Sequence, residues 1–252
     1  MTTAVTSLDD LLALADRVIA LVRAHPGPTL AGSDTDAAAA SDTDAAAGSD
    51  TDAPAGSDTD AAAGSSAEAA AGSSAAPGSD TGPGSASDTE VEANVRVTRS
   101  RHGLTRFANS FIHQHVGEDT VTVSLTVAVG GRTSSASSTR IADDELAQLV
   151  DTALAAAALQ PVDPLWPGAT PPAELGFAGQ YDHATAEATP DERAAGVESF
   201  VSAGPELRAA GYLDNAASWV AFASTAGQRV AGATTRATLD GIHQTETSAG
   251  SA

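Results

Sequence analysis

The chain has 252 residues, with 33 acidic against 12 basic side chains, a net charge of −21 and no cysteine. That balance argues against nucleic acid and anionic membrane as partners, because phosphate binding rests on clustered cations. The lack of cysteine excludes disulfides, thiolate catalysis and any cysteine metal ligand within this sequence.

In chain order, Asp9, Asp10 and Asp16 interrupt the first apolar run. Residues 1–23 therefore read as neither a signal peptide nor an anchor, and a cytoplasmic protein is expected. Leu8, Leu11, Leu12, Ala15, Val18, Ile19 and Val22 recur at helical spacing, which predicts an amphipathic helix over 7–23. Ser7 with Asp10 marks its start, and His25-Pro26-Gly27-Pro28 its stop.

An eight-residue repeat follows. Ser33-Asp34-Thr35-Asp36 recurs at Ser41, Ser49 and Ser57, then decays. Residues 33–90 hold 12 of the acidic side chains, no Arg, and no Leu, Ile, Val or aromatic residue. Nothing there can offset the roughly 1–2 kcal/mol per residue that ordering a backbone costs, so a disordered insert is expected. The repeat spacing matches no calcium loop, and Gly82-Pro83-Gly84 lacks the strand–turn–helix setting of a phosphate loop.

From Val91 the period becomes two. Val91, Ala93, Val95 and Val97 predict a strand, and Arg101-His102-Gly103 a turn. Further strands are expected over 104–116, 120–129 and 133–139, with breaks at Gly117-Glu118-Asp119 and Gly130-Gly131. Asp143 is expected to cap a helix carrying Leu146, Leu149, Val150, Ala153 and Leu154. Pro161, Pro164, Pro167, Pro171 and Pro172 mark a connector with Trp166 as its anchor. Thr189-Pro190-Asp191-Glu192 opens another helix by a capping box. Strands over 212–223 and 228–240 flank Ala226-Gly227.

This order predicts an α+β fold: an antiparallel β-meander of about four strands with packed helices, interrupted by the acidic repeat and followed by a second, partial α/β module. The expected division is 1–32 for the N-terminal helix of a first domain, 33–90 for the insert, 91–160 for the rest of that domain, 161–180 for the connector and 181–252 for a partial central domain.

None of His25, His102, His113, His115, His183 and His243 lies in a His-Glu-x-x-His or His-Glu-x-x-x-His motif. His113 and His115, two apart on an expected strand, would share a face, but a zinc site needs three or four ligands. His183 and Glu187 read as solvated neighbours. No serine sits in a G-x-S-x-G elbow.

The run from Leu104 through Arg106, Phe107, Ala108, Asn109 and Ser110 to His113-Gln114 resembles the N-terminal signature of the TldD/PmbA metallopeptidase family. Gly130-Gly131-Arg132-Thr133, Val162-Asp163-Pro164, Ala210-Gly211-Tyr212 and Ala223-Ser224-Thr225-Ala226-Gly227 follow in the family's order. The resemblance covers 91–252, extends loosely to 7–28, and leaves the repeat aside. It implies paired subunits that degrade or trim peptides. The zinc-bearing one carries a His-Glu-x-x-x-His helix and a later Cys ligand; its companion lacks that motif.

No catalytic or metal residue can be carried over, and no cofactor is expected in this chain, zinc belonging to the full-length catalytic members. Bound zinc lowers the pKa of water from about 15.7 to about 7, close to 12 kcal/mol at about 1.36 kcal/mol per unit, and no side-chain pair here replaces it. The expectation is the N-terminal portion of a family member, inactive alone, whose partners are a second TldD/PmbA-type subunit and the peptide substrate. Arg106, Asn109, His113 and Gln114 are the candidate contact residues, being polar groups within an apolar strand pair. Arg106, Ala108 and Ser110 are expected on one face, with Phe107, Asn109 and Phe111 on the other. The competing readings are a non-enzymatic interaction module with an acidic arm, or a gene fragment without function.

Overall fold

The computed structural model describes residues 5–28, 91–176 and 179–251, so the expectations for 33–90 lie outside the described residues. Helix α1 (Leu8–Ala24) starts at the expected N-cap, Ser7, and closes a full capping box: the Ser7 hydroxyl accepts from the Asp10 backbone, and the Asp10 carboxylate accepts from the Ser7 backbone. Strands β1 (Val91–Ala108), β2 (Phe111–Val129) and β3 (Arg132–Ser138) follow, then helices α2 (Asp143–Ala158), α3 (His183–Glu187) and α4 (Pro190–Ser202). Strands β4 (Arg208–Ser224), β5 (Arg229–Gln244) and β6 (Ala249–Ser251) complete an antiparallel sheet in the order β3-β2-β1-β4-β5-β6.

The α+β class is thus observed, with one sheet running through both halves of the chain. The meander has three strands instead of about four. Arg101-His102-Gly103 is not a turn; it lies inside β1, with Gly103 opposite Gly117 on one side and Asn215 on the other. Likewise, Gly117-Glu118-Asp119 does not break β2. The chain reverses instead at Asn109 and Ser110, whose φ angles of 51° and 63° form the two-residue turn that matches strand twist. The stretch 104–116 is therefore the closed end of a hairpin and not one strand. At the start of α2, Ala142 is the N-cap and makes no side-chain cap bond, while Asp143 is already helical and contributes charge to the first turn.

Alternation along β1 turns its odd-numbered residues to the helices. Ala93, Val95 and Val97 meet Val123, Leu125 and Val127 of β2, Val18 of α1 and Leu146 and Leu154 of α2 in the main core. Nearer the hairpin turn, Phe107, Val197 and Ala209 form a second cluster joined by Phe200, Val201 and Leu213.

Trp166 anchors the connector as expected, its indole N–H donating to Glu92 Oε2 at 2.7 Å. The Gln228 side-chain amide grips the backbone of Ala173 through two bonds of 2.9 and 3.0 Å. Beyond it, the Thr235 N–H of β5 donates to the Gln180 carbonyl at 2.9 Å. Gly179, at φ 101°, permits this crossing, since a Cβ there would overlap the Ala233 carbonyl.

Candidate functional site

The distal half of the β1–β2 hairpin carries every residue singled out from the sequence as a contact. β3 pairs with β2 only from Val123 onward. Among the described residues, the outer edge of β2 over 111–122 therefore has no strand beside it, and its backbone donors and acceptors face outward. Phe111 and Ile112 add 59% and 40% exposed apolar side chains at the closed end.

Arg106 and Gln114 are cross-strand partners, with Arg106 Nη1 donating to Gln114 Oε1 at 3.3 Å. Both are exposed, and among the described residues no carboxylate pairs with Arg106. Asn109 occupies the first left-handed position of the turn, so its residue type has a backbone reason. His113 falls at a bulge, where Arg106 pairs with Gln114 but Phe107 with Ile112. The turn and the bulge each break the alternation, so the expected sharing of faces by Ser110 with Arg106, by Phe111 with Phe107, and by His113 with His115 fails.

On the helix-facing side lies a cluster the sequence reading missed. Arg193 of α4 is only 4% exposed. Its Nε donates to the Thr105 hydroxyl at 3.2 Å. Its Nη1 donates to Asn215 Oδ1 at 2.6 Å and to the Ala188 carbonyl at 2.9 Å. Nη2 stands 3.2 and 3.3 Å from the two ring nitrogens of His115. Gly103 makes room, because a Cβ there would come within 2.6 Å of Arg193 Cζ and 2.7 Å of Asn215 Oδ1. Burial pushes the Arg193 guanidinium below the usual arginine range. The signals in the sequence were a glycine within a strand and an arginine among apolar helix positions.

Beside this cluster a cavity of about 310 Å³ opens, lined among others by Arg101, His115, Glu118, Asp119 and Arg193. Arg99 binds Asp119 through bonds of 2.9 and 2.7 Å. Its guanidinium holds the Asp119 carboxyl below the ordinary aspartate range, and is itself raised by it. Arg101 bridges to Glu187 at 2.8 Å, so Glu187 is tied to the sheet and is not merely a solvated neighbour of His183.

On the opposite sheet face His102 Nε2 lies 3.1 Å from Asp214 Oδ2, while Asp214 Oδ1 is buried without a partner among the described residues. No group of three His, Cys, Asp or Glu side chains able to hold a metal ion occurs among the described residues. No described helix is long and apolar enough to cross a membrane.

Residues 93–157, from β1 through α2, match the family model described as PmbA/TldA metallopeptidase domain 1. No curated protein matches the chain. Among solved structures, TldE from Thermococcus kodakarensis superposes with a TM-score of 0.57 at 14% identity, over 63% of this chain and 37% of that one. A putative modulator of DNA gyrase from Bacteroides thetaiotaomicron does so with a TM-score of 0.51 at 15% identity, over 64% and 39%. At these identities the likeness is one of fold. The chain spans about two fifths of the length of these structures.

Proposed function

We propose that this chain, which belongs to the PmbA/TldA metallopeptidase family through its residues 93–157, serves as the N-terminal portion of a TldD/PmbA-type protein in a cytoplasmic, paired-subunit peptidase. It contributes contact to a second subunit or to peptide, and not the zinc chemistry. The observation that carries this reading is the outer edge of β2 over 111–122, extended and without a neighbouring strand among the described residues. Such an edge accepts a further extended segment through main-chain hydrogen bonds, with flanking side chains setting register and preference. Arg106 and Gln114 supply polar groups beside it, while Phe111 and Ile112 supply apolar area.

The reading does not require this chain to hydrolyse peptides by itself. Metal chemistry, where a complex performs it, belongs to ligands outside the described residues. The test is to mix the full chain with a full-length TldD/PmbA-type subunit and measure association for wild type, Arg106→Ala and Ile112→Pro. The proline removes one edge N–H. Association weakened about tenfold or more in both folded variants supports the proposal. Variants that fold normally and associate like wild type overturn it.

A further inference from the structure

Arg193 presents a charge problem that the fold leaves unsolved. Among the described residues, Arg17, Arg99, Arg101, Arg140, Arg229 and Arg236 each reach a carboxylate. Among the described residues, Arg193, at 4% exposure, reaches only a hydroxyl, an amide oxygen, a backbone carbonyl and an imidazole. A buried cation held by neutral partners alone is costly, and a chain with 33 acidic residues has no shortage of counter-ions to place there. A guanidinium has five N–H donors. Nε uses one and Nη1 uses two, whereas Nη2 meets only the ring of His115.

The surroundings hold this donor in place. Asn215 Oδ1 accepts from Arg193 while its Nδ2 donates to the Thr185 carbonyl at 2.9 Å, which locks the amide. Gly103 supplies the space that the guanidinium fills. The cavity alongside is about 310 Å³ and opens between the β1–β2 hairpin and α3–α4. Of the two acids on its wall, Asp119 is already held by Arg99, and Glu118 is exposed.

We infer that this cavity is a carboxylate-binding site, in which the buried Arg193 guanidinium, oriented by Thr105 and Asn215 and flanked by His115, takes the carboxylate of a peptide. The peptide as source rests on the proposed function; the site itself rests on a buried guanidinium that meets no carboxylate among the described residues. A carboxylate would supply the missing negative charge through charge-assisted bonds to Nη2. The chain's net charge of −21 opposes any anion at long range, so binding should strengthen as salt screens that field.

The test uses the full chain and two probes, a tetra-alanine peptide with a free C-terminus and the same peptide as its C-terminal amide. Binding is followed by calorimetry or by chemical shifts of the Arg193 side chain. The free acid should bind, and the amide should bind at least about tenfold more weakly. Arg193→Met should lose this preference, Arg193→Lys should keep part of it, and Gly103→Ala should weaken it by displacing the guanidinium. Sodium acetate should raise the unfolding temperature of wild type but not of Arg193→Met. Equal binding of acid and amide by wild type overturns the site, as does an unchanged preference for the acid in a folded Arg193→Met. Partner association measured on the same variants separates the two readings: a chain that pairs with a family subunit but ignores carboxylates loses only this site. One that binds the free acid but no subunit keeps the site and loses the paired role.

Discussion

Asn109 and Ser110 show how a single residue type answers to backbone conformation before it answers to binding. Both hold positive φ, which costs an ordinary side chain about 1–2 kcal/mol and asparagine less. Asn109→Gly should therefore fold as stably as wild type within about 0.5 kcal/mol, whereas Asn109→Val should cost about 1–2 kcal/mol, both read by denaturant unfolding. Equal stability of Gly and Val variants would show that the turn does not govern this position. Gly179 obeys the same logic with tighter sterics. With φ at 101° and a Cβ that would sit 2.8 Å from Thr234 Cγ2, Gly179→Ala should release the connector from β5. Hydrogen exchange at Thr235, whose N–H donates to Gln180, should then quicken while the main core stays protected.

Among the elements, α1 and α4 are specified locally and α2 is not. Ser7 with Asp10, and Thr189 with Glu192, each close a reciprocal capping box. Backbone and hydroxyl donors from Thr6 and Ser7 hold the Asp10 carboxyl down at about 2. Its folded pKa thus lies below its unfolded value near 3.8, so the stabilising contribution is complete above about pH 4 and is lost as pH falls through about 2. Chemical-shift titration should place this carboxyl near pH 2 in wild type and higher in Ser7→Ala, yet still below 3.8 because the Thr6 backbone donor remains. Helix α2 lacks any side-chain cap bond and depends on its buried stripe. Leu154→Ala, at a fully buried position, should cost about 2–5 kcal/mol. Leu165→Ala, at 86% exposure, should cost less than about 0.5 kcal/mol. Similar losses at the two positions would contradict the packing described.

At the level of the whole molecule, the acidic repeat and the sheet make separate claims. Residues 33–90 hold no Leu, Ile, Val or aromatic side chain. Joining residue 32 to 91 should leave the thermal unfolding midpoint within a few degrees of wild type; a large fall would mean that the repeat stabilises the fold. Such a deletion also removes 12 negative charges, so carboxylate binding at low salt should improve in the shortened chain.

The sequence by itself determined the helices, the strand-rich middle, the connector anchor at Trp166 and the family resemblance, because caps, periodicity and proline spacing act over a few residues. It misplaced the hairpin reversal because Gly103 and Gly117 read as turn signals, when Gly103 is small to admit a guanidinium brought from residue 193. It also passed over Arg193, Asn215 and Thr105, which lie 88 and 22 residues apart along the chain when paired. Only the sheet order, which sets β4 beside β1 and lays α4 across both, brings them together. Local patterns report whether a residue suits a helix or a strand; which polar groups meet in a buried space is decided by contacts between distant segments.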